Sequence, residues 1–127
     1  MAEYKGILNP VPKNRGGYEN YSTTEHEIGT WIDGSTLYEK TINLGSLPNT
    51  TTKNVAHNIA NLKEVIHLSG MMVITGTSRF YPLPYVDNAN IASNIAFEVN
   101  TTNVIVKTST DFSTNAGYIT LRYTKTS

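Results

Sequence analysis

What this sequence lacks narrows the possibilities first. It contains no cysteine, which excludes disulfides and thiolate chemistry and leaves the redox compartment open. No apolar run approaches the roughly 20 residues that a helix needs to span a bilayer, so membrane insertion is not expected. The opening stretch MAEYKGILNPVPKNRGGYENYS has no signal-peptide apolar segment. The expectation is a protein made and kept in a cytoplasm, or released from one by lysis. Charge is scarce at 16% of residues, ten of each sign, with no long run of either. A protein that binds nucleic acid electrostatically carries a basic stripe; none is present, and no nucleic-acid partner is expected.

Signatures of chemistry are also missing. His26, His57 and His67 stand singly, outside any HxH or HExxH spacing, so a zinc site has no support. GxSxG, P-loop and GxGxxG motifs are absent. The acidic residues are scattered, whereas glycoside hydrolysis needs two carboxylates facing each other across a cleft. Asp87, Asn88 and Asn90 form an oxygen-rich group without the spacing or closing glutamate of a calcium loop, and they read as a turn. The expectation is no enzyme, no cofactor and no metal.

In place of charge the chain has threonine, asparagine and serine, together 41 of 127 residues. Threonine favours strands, while asparagine favours turns and tolerates left-handed backbone. Such a surface is neutral and rich in hydrogen-bonding groups. It suits proteins that meet carbohydrate or one another, and equally an ordinary β protein with threonine on its exposed strand faces.

Along the chain, residues 1–24 contain Pro10, Pro12, Gly16 and Gly17 without periodicity. They read as an irregular N-terminal arm or linker before a single domain over 25–127. From His26 the pattern alternates. In GTWIDGSTLYEKTINLG a loop over Asp33–Thr36 pairs Ile32 with Leu37, Thr30 with Glu39, and Trp31 with Tyr38. That register matches side chains better than a two-residue Asp33-Gly34 turn does. TKNVAHNIANLKEVIHLSG fits helix or strand over 53–66, and its β-rich surroundings favour two short strands near 53–60 and 63–69. GMMVITGT reads as a buried strand, Met71 to Thr75. SRFYPLPYVDNANIAS is too rich in proline for a central strand and reads as a long loop or edge excursion. In NIAFEVNTTNVIVKT, Ile95, Phe97 and Val99 share a face with Val104 and Val106 across a four-residue loop. GYITLRYT sets Ile119, Leu121 and Tyr123 against Tyr118, Thr120 and Arg122. Short strands joined by Asn/Gly/Ser/Thr turns predict an all-β, antiparallel, jelly-roll-like β-sandwich.

Eight tyrosines against three phenylalanines make a polar aromatic set suited to interfaces. Loops on a rigid scaffold commonly carry recognition, so Arg79, Tyr81, Tyr85, Asp87, Asn88 and Asn90 are the candidate ligand-binding residues. The competing reading folds Phe80, Leu83 and Tyr85 back as a hydrophobic plug. Trp31 and Tyr38 are candidates for packing or a subunit interface.

The words YSTTEHEIGTWIDGSTLYEKTINLGSLPNTTTKNVAHNI, with FYPLPY and the closing GYITLRYTK, resemble a C-terminal, receptor-binding or head-like domain. It recurs in bacteriophage and prophage tail fibre and minor structural proteins. The resemblance covers about residues 20–126, and GTWIDG is its most specific element. It implies a β-sandwich on a virion tail, assembled in the host cytoplasm as a homotrimer with other virion tail proteins. It implies contact with a host cell-surface glycan, or capping of the fibre, without cofactor or reaction. It also moves Trp31 and Tyr38 toward fold or subunit contact, and leaves recognition to residues 76–92 and the turns near 100–103 and 109–116. The alternative is a monomeric bacterial carbohydrate-binding or adhesin module.

Overall fold

The computed structural model describes residues 21–126, so most of the expected arm over 1–24 lies outside the described residues. The described chain forms strands only: β1 (His26–Thr30), β2 (Thr36–Ser46), β3 (Thr52–Ala56), β4 (Leu62–Ile74), β5 (Phe80–Leu83), β6 (Tyr85–Val86), β7 (Asn94–Val99), β8 (Asn103–Thr108) and β9 (Asn115–Lys125). They build two antiparallel sheets, ordered β1-β2-β9-β4-β5 and β3-β8-β7-β6. This is the expected all-β sandwich. Its jelly-roll-like feature is the pairing of early with late strands, β2 with β9 and β3 with β8, in opposite sheets.

The core lies between the sheets. Ile42, Leu44, Met72, Leu83, Ile119, Leu121 and Tyr123 come from the five-stranded sheet, and Ile95, Val104 and Val106 from the four-stranded one. Leu47, Ile59 and Phe112 close the ends from connecting segments. Burying each aliphatic side chain contributes roughly 1.5–3 kcal/mol. Lysines join the layers at the rim: Lys53 Nζ donates to the carbonyls of Leu44 and Ser46 at 2.8 and 2.7 Å, and Lys40 Nζ to that of His57 at 2.7 Å.

The predicted alternation over 95–106 and 118–123 holds. Val99 pairs with Val104, and the turn between them is organised by Asn100, whose Oδ1 accepts from the N–H groups of Thr102 and Asn103 at 2.9 and 2.7 Å. The proline-rich stretch is an edge excursion. β5 ends the first sheet and β6 the second, with Pro84 between them.

Three expectations are corrected. The two strands near 63–69 and 71–75 are a single strand, β4, which passes through Gly70. A Cβ there would strike the Tyr118 carbonyl oxygen and lie 2.9 Å from Ile119 Cα on β9, so this glycine permits close approach and marks no break. The strand near 53–60 ends at Ala56, because Asn58 and Asn61 take left-handed backbone, φ 55° and 57°. Finally, the Met71–Thr75 segment is not buried throughout. Met72 is, while Met71 is 49% exposed on the opposite face, as an antiparallel sheet with one solvated side requires.

Candidate functional site

The β1–β2 hairpin does not bring Trp31 and Tyr38 together. Thr30 pairs with Thr36 and Gly29 with Leu37, while Tyr38 faces Glu27. Residues 31–35 form the loop, closed by Trp31 N–H to Ser35 O at 2.8 Å and Gly34 N–H to Trp31 O at 2.9 Å. The pattern-based register fails because β1 buries almost nothing, leaving Ile32 89% exposed. Side-chain alternation pins register only where one face is buried, and a bulge between Glu27 and Gly29 shifts the pairing. Tyr38 does pack: its ring stacks on Tyr123 at 5.9 Å, with Lys125 Nζ 5.1 Å from its centroid.

The candidate binding residues divide into two groups. Arg79, Tyr81 and Tyr85 come together where the chain crosses from one sheet edge to the other. The β4–β5 turn fixes Arg79, whose N–H donates to Thr77 Oγ1 at 3.1 Å and whose carbonyl accepts from Ile74 N–H at 3.2 Å. Its Nη2 donates to the Tyr81 hydroxyl at 3.0 Å. The Tyr81 and Tyr85 rings meet edge to face at 5.3 Å, and Tyr85 meets Phe112 in the same way at 6.1 Å. Aromatic pairs prefer this geometry. Partial burial first, then the charge of Asp87, raises the Tyr85 phenol above its ordinary range, with Arg79 opposing. The hydroxyl therefore remains a neutral donor and acceptor.

Asp87, Asn88 and Asn90 lie in the following loop. Asp87 Oδ1 accepts from Ala89 N–H at 2.9 Å, and Asn90 Oδ1 from Ala92 N–H at 3.2 Å. These are turn-forming bonds to the local backbone, and Asn88 is exposed. Among the described residues, no three His, Asp or Glu side chains are grouped to hold a metal.

The plug reading holds for Leu83 and in part for Tyr85, which packs against the core and Phe112, and fails for Phe80. Leu83 is 4% exposed and fills the core, whereas Phe80 is 62% exposed and points away from it. Tyr81 and Tyr85 are half-buried, packed against the core on one side. Phe112, the support beneath Tyr85, gave no sequence signal because it stands alone in a polar turn. Of the histidines, His57 is buried, its Nδ1 accepting from Ile59 N–H at 3.1 Å and its Nε2 donating to Asn100 O at 2.9 Å. It lines a shallow depression of about 250 Å³ with Ala56, Asn58, Ile59 and Thr101–Asn103.

A second surface lies on the outer face of the five-stranded sheet. Cross-strand register aligns Tyr118 with Met71 and Met71 with Pro82, and the next row aligns Val73 with Phe80. Tyr118, Met71 and Phe80 are 53%, 49% and 62% exposed. The other end of this face carries the buried Glu39, held by Arg122 Nε at 2.8 Å, with His26 Nε2 3.5 Å from its second oxygen.

A scan against protein-family models finds no match for the chain, and neither do searches of curated proteins and of solved structures.

Proposed function

We propose that this chain is a non-enzymatic domain of a bacteriophage tail appendage that self-associates and meets a host-surface glycan. The observation that carries the glycan reading is the Arg79–Tyr81–Tyr85 cluster. Two tyrosines in edge-to-face contact, Tyr85 backed by Phe112, offer partly exposed ring surface and two hydroxyls, of which Arg79 holds that of Tyr81. Ring faces stack on the apolar faces of sugars, and the hydroxyls and guanidinium can hydrogen-bond sugar oxygens. The GTWIDG resemblance supplies the virion context.

Self-association rests on a separate observation. The row of Tyr118, Met71 and Phe80 is an uncharged apolar stripe on an exposed sheet face. Contiguous patches of this kind mark interaction sites, and a stripe that carries neither charge can meet its own copy without repulsion. The expected assembly is a homotrimer beside other tail proteins.

The test is a saccharide titration with Tyr81→Phe and Tyr85→Phe, which keep the rings and remove the hydroxyls. Weakened binding with unchanged circular dichroism supports the reading. Binding that neither variant alters assigns the ligand elsewhere. If sugar instead shifts Trp31 fluorescence in a chain that stays monomeric, the bacterial carbohydrate-binding alternative is favoured.

A further inference from the structure

The described residues include seven lysines and arginines. Four are paired with carboxylates: Lys63 with Asp33, Lys107 with Glu98, Arg122 with Glu39 and Lys125 with Glu25. Lys40 and Lys53 donate to backbone carbonyls. Arg79 alone among them has neither, and its side chain is bonded to the Tyr81 hydroxyl. Every other described lysine or arginine has a carboxylate or backbone carbonyl partner, while the one at the aromatic cluster has donors left for something outside the chain.

We infer, building on the glycan reading above, that the saccharide taken by this cluster is anionic, with its carboxylate or phosphate on Arg79. A guanidinium has five N–H donors, and its fork matches either anion bidentately. The Tyr81 hydroxyl and the β4–β5 turn hold the arginine in place, which reduces the entropy lost on pairing. Asp87 supplies the polarity. Its charge acts on Tyr85 in the sense opposite to that of Arg79, so an anion is repelled at the Asp87 end and drawn to the Arg79 end.

The site is exposed, and a single exposed ion pair contributes up to about 1 kcal/mol, so the selectivity expected is up to about fivefold. The test is calorimetric titration of the full chain with oligomers of galacturonic, glucuronic and mannuronic acid. Each is paired with the same oligomer after reduction of its carboxylates to alcohols. A phosphorylated neutral oligosaccharide forms a further arm that separates phosphate from carboxylate. An acidic oligomer should bind up to about fivefold tighter than its reduced partner. That margin should vanish in Arg79→Gln, persist in part in Arg79→Lys and shrink at 0.5 M salt. A reduced oligomer that binds as tightly as its acidic parent, or a margin that survives Arg79→Gln, overturns the anionic assignment and leaves the saccharide reading standing. Binding of none of the oligomers, charged or neutral, overturns both.

Discussion

The Tyr123 hydroxyl donates to Glu25 Oε1 at 2.7 Å, while Lys125 Nζ donates to Glu25 Oε2 at 2.8 Å. One carboxylate ahead of β1 thereby fastens the last strand. Burial alone would raise the Glu25 pKa, but the hydrogen bonds from Lys125 and Tyr123, with the charges of Lys125 and Lys40, bring it below 4.5. A carboxylate depressed on folding adds stability above its unfolded pKa and loses it as pH falls through the folded value. Glu25→Gln should therefore lower the urea midpoint at pH 7. Its difference from the parent chain should narrow as pH drops below 4.5. A difference that stays constant or grows in acid would contradict this role.

Gly70→Ala should be among the most damaging single changes. The added carbon would meet backbone on β9, and a neighbouring strand cannot yield as a flexible side chain can. Overpacking of this kind costs about 1–3 kcal/mol or more, against about 0.5 kcal/mol for Ser69→Ala on the exposed face beside it. Thermal melts of the two variants make the comparison. Equal shifts would mean that the strands separate at little cost.

The fold was legible where one strand face is buried. Ile95, Phe97, Val99, Val104, Val106, Ile119, Leu121 and Tyr123 alternate with polar residues, and the structure places them on the core side. Legibility stopped where burial stopped. β1 buries too little to fix its register, so Trp31 and Tyr38 could be paired on paper and are apart in space. Gly70 looked like a break because the need for close approach is set by β9, a strand about fifty residues further along. At the candidate site, the proline-rich stretch drew attention to Arg79, Tyr81 and Tyr85. Phe112 and the outward row of Met71, Phe80 and Tyr118 depend on long-range register and carried no local signal.

His57→Ala should destabilise the chain through two orphaned partners, Ile59 N–H and Asn100 O. Ile59 N–H is the buried one and costs about 1–3 kcal/mol when left unpaired, whereas Asn100 is exposed and its carbonyl can turn to water. Hydrogen exchange at the Ile59 amide should quicken in the variant. Unchanged exchange would show that the imidazole does not protect that amide.

Tyr118→Glu and Met71→Lys place charge on the apolar outer face. Both positions are exposed in one chain, so the stability of a single chain should change by about 0.5 kcal/mol or less. Light scattering behind a sizing column should show trimer for the parent and smaller species for the variants. A parent trimer unaffected by either change would move the interface elsewhere, with Trp31 and the exposed Ile32 the next surface to probe.

The most direct test of the central claim is an amide shift map of the isotopically labelled chain during titration with the acidic saccharides. Perturbations should concentrate at residues 77–92 and at Phe112, and diminish in Tyr81→Phe. Perturbations centred instead on the depression beside His57 and Thr101–Asn103, or no perturbation across the panel, would contradict that claim.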